Sequence, residues 1–313
     1  MKRGTSGINA LLAIDKPGGM TSHDVVGRVR RILGERRVGH AGTLDPAATG
    51  LLIVGVGQAT RLLGMLTLDR KSYIASIRFG ASTTTDDAEG ETIAVSPVPA
   101  RLSDSEYASK RLADLVGDSM QVPPQYSAIS VDGKRAYASA RKGERVELDA
   151  RPITVHSAEL LGIIPEPQPI WLCSFDVSKG TYIRSIARDL GIEEGCGAYL
   201  TDLRRTSSGN VGIESAVSLE DLASGNGDAD VFMLDPVEVL GLPVFVPDAR
   251  GLDAAKVGRS IPVDDRSESI EDGGRFCLSH DGKLIGVWKR TGELLVSEAN
   301  FPEGILGVGS SGK

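Results

Sequence analysis

The sequence predicts an α+β fold, and three patterns predict it. Strand alternation recurs at 73–79 and 171–177, helical spacing recurs at 22–33 and 181–190, and their order lacks the regular βαβ alternation of a doubly wound sheet. Beyond Pro247 the apolar runs are short and separated by turn dipeptides, which reads as a small β unit.

Taken in order, Ser22 is expected to cap a helix whose apolar positions are Val25, Val26, Val29, Ile32 and Leu33, with Gly34 just past its end. The apolar run Leu51 to Val56 reads as a buried strand. Tyr73, Ala75, Ile77 and Phe79 alternate with Ile74, Ser76 and Arg78, a strand opened by Tyr73. Ser103-Asp104-Ser105-Glu106 is a capping-box pattern ahead of Leu112, Leu115 and Val116, so a helix of about fifteen residues is expected. Trp171, Cys173, Phe175 and Val177 alternate into the turn Ser178-Lys179-Gly180. A helix follows from Thr181, with Tyr182, Ile186 and Leu190 apolar, Arg184 in its first turn and Gly191 as its terminator. Pro236, Gly241, Pro243 and Pro247 mark a boundary, dividing the chain into residues 1–238 and 239–313. In the second part, Phe276 to Leu278, Leu284 to Trp288 and Leu294 to Val296 are the short strands.

Composition narrows the class of function. A chain of 313 residues that is 41% hydrophobic and 25% charged is an ordinary globular protein with room for about two domains. Cys173, Cys196 and Cys277 are far apart, and with four scattered histidines they form no zinc pattern, so buried reduced thiols and a cytoplasmic setting are expected. No secretory or membrane-spanning stretch is apparent. Gly55-Val56-Gly57 lacks the third glycine of a dinucleotide fingerprint and no P-loop occurs, so no cofactor is indicated. The net charge of −7 is unevenly placed: residues 1–205 carry +2 and residues 206–313 carry −9. Basic clusters at Arg28/Arg30/Arg31/Arg36/Arg37, Lys134/Arg135/Arg141/Lys142/Arg145 and Arg204/Arg205 suit either a phosphate backbone or a solvated helix face.

The run Val38 to Gly50 contains one carboxylate, Asp45, among glycines. Pro46 biases Asp45 toward extended torsions, and Gly39, Gly42 and Gly50 permit tight turns around it. Held this way, Asp45 is a candidate nucleophile, although Asp-Pro after glycine is also a common turn.

Five motifs occur in order over about the first 210 residues. They are Ile14-Asp15-Lys16-Pro17-x-Gly19-Met20-Thr21-Ser22, Gly39-His40-Ala41-Gly42-Thr43-Leu44-Asp45-Pro46-x-Ala48-Thr49-Gly50, Lys71-Ser72-Tyr73, Val122-Pro123-Pro124-x-Tyr126-Ser127-Ala128 and Lys179-Gly180-Thr181-Tyr182-Ile183-Arg184. Together they resemble the bacterial TruB-type tRNA pseudouridine synthases, which isomerise uridine 55 of the T-loop. The resemblance implies a mixed-sheet catalytic domain with a central cleft, and a small PUA-like C-terminal domain. It implies a tRNA T-arm partner, no metal or cofactor, no membrane and a monomeric enzyme.

By the same resemblance, Asp45 is the nucleophile, with attack at ribose C1′ or at C6 of the base both open. Burial alone would protonate such a carboxyl, so a cation is required, and the resemblance nominates Arg184. Tyr73 would stack on the uracil and take the C5 proton. His40 would support the everted nucleotides, Leu203 would wall the pocket, Lys16 would brace the site, and Tyr182 would contact substrate. Arg204 and Arg205 would meet phosphate. The segment 120–150, with Lys134 and Arg135, fits an RNA-gripping insertion. Two other readings are a tRNA-binding folding chaperone, for which Asp45 would be dispensable, and a carboxylate-dependent hydrolase using Asp86 and Asp87, which otherwise form a turn.

Overall fold

The computed structural model describes residues 6–67, 70–127, 130–131, 134–135, 146–165, 167–225 and 232–309. The chain divides into two compact units, residues 1–68 with 207–313, and residues 69–206.

The first unit begins with β1 (Ala10–Lys16), α1 (Ser22–Leu33), β2 (Val38–Ala41), β3 (Thr49–Val56) and a short α2 (Leu63–Leu66). β1 and β2 both pair antiparallel with β3. β3 reads as an unbroken apolar run because the sheet is covered on both faces. Leu51 and Ile53 enter one core, while Leu52, Val54 and Val56 enter another against Val25, Val26 and Val29 of α1. β1 is split the same way, Leu11 and Ala13 on one side and Leu12 and Ile14 on the other. Each large aliphatic buried in this way contributes about 2 kcal/mol, so β1 is a firm anchor for what lies at its end. Helix α1 is capped one residue earlier than the pattern suggests. Thr21 forms the capping box with Asp24, and left-handed Gly34 (φ 61°) closes the helix as expected.

The second unit contains β4 (Lys71–Phe79), the hairpin β5 (Ala81–Thr83) and β6 (Thr92–Val95), α3 (Ser105–Ala113), β7 (Gly117–Gln121), the two-residue pair β8 (Ser130–Val131) and β9 (Lys134–Arg135), β10 (Arg151–Ile164), β11 (Ile170–Val177), α4 (Ile183–Glu193) and most of β12 (Ala198–Ser208). Its strands lie in the order β12-β4-β11-β10-β7. β4 and β11 bury alternate residues as their sequences predict, with Tyr73 opposite Phe175.

Two helices depart from the sequence reading. α3 is capped by Asp104, whose carboxylate accepts from the amides of Glu106 and Tyr107, and it is nine residues long. α4 runs past Gly191 to Glu193, so Gly191 is not a terminator. A Cβ there would collide with the backbone of Gly197 and Ala198, and close approach is the reason for glycine. At the end of α4, Glu194 is buried and accepts hydrogen bonds from Tyr107 (2.9 Å), Arg101 (3.0 Å) and Arg111 (3.0 Å), tying α4 to α3. Burial pushes the Glu194 carboxyl up, but these three donors more than offset it and hold it below its ordinary range.

The first unit is completed by β13 (Val211–Gly212), α5 (Leu219–Ser224), β14 (Met233–Leu234), α6 (Pro236–Leu240), β15 (Val244–Phe245), α7 (Ala249–Lys256), β16 (Ile261–Pro262), β17 (Arg275–His280), β18 (Lys283–Thr291) and β19 (Leu294–Ile305). The last five strands form a separate sheet in the order β15-β17-β18-β19-β16, the β-rich C-terminal part that the sequence predicts. Phe301, Ile305, Leu284 and Val287 of this sheet share a core with Leu11, Leu51 and Ile53. The three cysteines are buried and form no disulfide, and burial pushes the Cys173 thiol up to about 12. Among the described residues no helix is long and apolar enough to cross a membrane.

Glu194→Gln is expected to destabilise the chain by about 2 kcal/mol at pH 7, because it leaves two arginines without their shared carboxylate. A depressed carboxyl contributes stability above its unfolded pKa and loses it as pH falls through the folded one. The gap between wild type and variant in urea unfolding therefore closes below about pH 4.

Candidate active site

In the first unit, Asp45 is half-buried in the loop between β2 and β3, and the residues on either side of it are clamped. Ser22, at the start of α1, accepts from the amide of Leu44 (2.9 Å) and donates to its carbonyl (3.2 Å). On the other side, the carbonyl of Pro46 accepts from the amide of Gly19 (2.9 Å) and from Lys16 Nζ (3.0 Å). Lys16 is 0% exposed at the end of β1, and its Nζ also donates to the carbonyls of Pro17 (2.9 Å) and Met20 (2.6 Å). Carbonyls only accept, so three such bonds need three N–H groups, which is the charged ammonium. Gly42 (φ 78°) takes the left-handed turn that leads into the loop. His40 lies on β2 opposite Val54, half-buried and five residues before Asp45.

In the second unit, Arg184 is 4% exposed in the first turn of α4 and points inward. Its guanidinium donates to the carbonyls of Thr85 (3.0 Å) and Tyr126 (2.9 Å) and lies 3.6 Å from Asp87 Oδ2. The Asp87 carboxylate is itself oriented by the hydroxyl of Thr85 and the amide of Glu89 (3.1 Å). Asp86 adopts the left-handed conformation (φ 61°) and sits 3.4 Å from Arg188. Burial raises the Asp86 carboxyl pKa, against the opposing pull of Arg188 and Arg184. The two aspartates thus form the turn expected of them, and Asp87 has the further role of charge partner to Arg184.

Tyr182 immediately precedes α4 and has no side-chain cap of its own. Buried Gln121 instead fixes the cap residue's own backbone, accepting from the Tyr182 amide (2.9 Å) and donating to its carbonyl (3.1 Å). The hydroxyl of Ser185 and the guanidinium of Arg188 both donate to the Val122 carbonyl (3.0 and 2.8 Å). The motif Val122 to Ser127 is therefore strapped along the start of α4.

Tyr73, 8% exposed on β4, is hydrogen-bonded by Arg205 of the neighbouring β12. Arg205 is 1% exposed, which withdraws it from the phosphate contact expected of it, since a guanidinium enclosed by the sheet is not open to a polyanion. Leu203 and Arg204 on the same strand are half-buried. Lys134 and Arg135 form β9, while Arg141, Lys142 and Arg145 lie outside the described residues.

Of these contacts, Ser22 and Gln121 were not singled out as site residues by sequence reasoning. Each stands inside or beside a motif, but nothing local tells a bracing side chain from a merely adjacent one.

Solved structures place the fold first. A Cbf5-Nop10-Gar1 complex (24% identical, TM-score 0.69, covering 95% of this chain and 87% of that one) contains a chain of the same fold. So does an H/ACA RNP bound to a substrate RNA containing 2′-deoxyuridine (23% identical, TM-score 0.68, covering 95% and 86%). In sequence, residues 30–183 match the N-terminal domain of the TruB family pseudouridylate synthases, and residues 184–239 match the tRNA pseudouridylate synthase B C-terminal domain. The chain is 45% identical over 284 residues to tRNA pseudouridine synthase B of Thermobifida fusca, covering 89% of this chain and 94% of that protein. It is 48% identical over 293 residues to the protein of the same name from Nocardia farcinica, covering 91% of each. The fold is that of a pseudouridine synthase, and the chain belongs to the TruB family of pseudouridylate synthases.

Lys16→Met keeps the length of the side chain but leaves the Pro17 and Met20 carbonyls without this donor. Pro17 is exposed, so water can take over at its carbonyl, and the cost falls mainly on half-buried Met20: a loss of about 1–3 kcal/mol is expected in urea unfolding, with far-UV circular dichroism unchanged.

Proposed function

We propose that this chain isomerises uridine 55 in the T-loop of tRNA to pseudouridine, with Asp45 as nucleophile. The observation that carries the reading is the clamped Asp45 loop, in which Ser22 holds Leu44 and Lys16 holds Pro46. A backbone braced on both sides of Asp45 limits where its carboxylate can reach, and attack on a single ribose or base carbon demands such restriction. Identity of 45–48% to proteins named tRNA pseudouridine synthase B supports the substrate class.

The reaction breaks the bond between C1′ and N1, rotates the uracil and joins C1′ to C5. C5 loses its proton and N1 gains one, so the product is an isomer. Asp45 attacks at C1′ or at C6, and Arg184 is the cation assigned to keep it ionised. Reaching the T-loop uridine costs a few kcal/mol of unstacking. We assign His40 to the everted nucleotides, Leu203 to the pocket wall, Tyr182 to substrate contact, and Tyr73 to stacking and removal of the C5 proton. Arg204, with Lys134 and Arg135 of β9, is assigned to RNA phosphate.

With a T-arm stem-loop as substrate, Asp45→Asn is expected to abolish isomerisation while RNA affinity stays within about twofold of wild type, and Arg184→Lys to keep binding but lose at least about 100-fold in turnover. Full turnover by Asp45→Asn would remove Asp45 as nucleophile, and stem-loop binding without isomerisation by the wild-type chain would leave the chaperone reading in its place. Affinity for the stem-loop is expected to fall steeply with salt. Neutralising Lys134 and Arg135 together should flatten the log–log slope by about 2, and an unchanged slope removes β9 from the interface.

A further inference from the structure

Arg205 is among the largest fully enclosed side chains of the protein, and its position is hard to account for by stability. An apolar side chain of similar volume would fill the same space without the cost of desolvating a charge. Burial lowers the Arg205 pKa and contact with Tyr73 opposes that, so the phenol oxygen is part of what makes a cation tolerable here. The chemistry of the pair has one direction. A guanidinium carries only donors, so in this bond the Tyr73 oxygen accepts. Tyr73 is itself 8% exposed, and a charge-assisted hydrogen bond to it is little weakened by water.

We propose that Arg205 is a positioning residue for the reaction, which holds the Tyr73 oxygen in place and stabilises the negative charge on it when Tyr73 acts as the base at C5. The proposal rests on the reading of Tyr73 as that base. In the step concerned, C1′ is already bonded to C5 and the Tyr73 oxygen is a phenolate. The oxygen forms an O–H bond with the C5 proton, the C5–H electron pair becomes the C5–C6 double bond, and the C6–N1 double-bond pair moves onto N1. The phenol then passes that proton to solvent, and N1 takes one from solvent. Arg205 stays charged throughout.

Other charges stand on the elements packed about Tyr73. Lys71 is on its own strand, Asp176 of β11 is paired with Arg70, Arg184 and Arg188 of α4 are engaged with Asp87 and Asp86, and Asp202 and Arg204 are on β12. Arg205, enclosed on the strand beside β4, hydrogen-bonds the phenol oxygen.

The test is single-turnover isomerisation of a T-arm stem-loop carrying protium or deuterium at C5 of the target uridine, followed across pH with wild type, Arg205→Met, Arg205→Lys and Tyr73→Phe. Arg205→Met is expected to slow turnover by about 100-fold at pH 7, move the rising limb of the pH–rate profile up by about one unit, and unmask a primary isotope effect. RNA affinity should stay within about twofold of wild type, and Arg205→Lys should recover at least about tenfold of the lost rate. A folded Arg205→Met with the wild-type pH profile and no isotope effect overturns the proposal. Should that variant fail to fold, a fluorinated, more acidic tyrosine placed at position 73 of Arg205→Lys keeps it testable: restored rate supports it and an unrestored rate overturns it. If Tyr73→Phe isomerises the substrate at the wild-type rate, the assignment of Tyr73 as base fails first, and the role of Arg205 falls with it.

Discussion

The ammonium of Lys16, enclosed at the end of β1 and donating to the carbonyls of Pro17, Met20 and Pro46, is the interaction on which the Asp45 loop depends. An isolated buried ammonium is among the costliest groups a protein can hold. Here backbone dipoles from two separate segments converge on it, so the charge is solvated by the chain itself. The cost is met only when residues 17–20 and Pro46 are in place together, which makes the lysine a device for closing the loop in one geometry. Gly19 and Ser22 complete the arrangement by holding Pro46 and Leu44 through hydrogen bonds of their own.

The second unit uses the same physics on a helix. α4 is fixed at its start by Gln121 on both backbone groups of Tyr182, and at its end by the Tyr107, Arg101 and Arg111 contacts to Glu194. Between those ends Gly191 lets the chain at 197–198 pass close against the helix. A helix held at both ends presents Arg184 with little freedom, and the carbonyls of Thr85 and Tyr126 take up two of its donors. That leaves the guanidinium oriented as well as buried, the condition under which a cation stabilises a carboxylate rather than merely accompanying it.

Three enclosed cations, Lys16, Arg184 and Arg205, are therefore held by acceptors of different kinds: carbonyls, carbonyls with a carboxylate, and a phenol oxygen. Buried charges seldom raise stability over apolar replacements. One braces the loop that holds Asp45, one sits in the first turn of α4 and one meets Tyr73, so a reason other than stability has to be sought for keeping them.

The elements themselves were legible because their signals are local. Alternation gave β4 and β11, helical spacing gave α1 and α4, and the glycine turns gave the loop around Asp45. Where local reading slipped, a contact distant in sequence was responsible: Ser22 serves Leu44 rather than the helix cap, and Gly191 makes room for Ala198 rather than ending α4. The sequence by itself determined the mixed fold, the order of its motifs and the residue types able to do the chemistry. Only the tertiary structure decided that Lys16 faces three carbonyls, that Gln121 completes α4, and that Arg205 turns inward to Tyr73. The reason is physical: every residue carries a carbonyl, so the acceptor that claims a buried cation leaves no mark in the pattern of side chains.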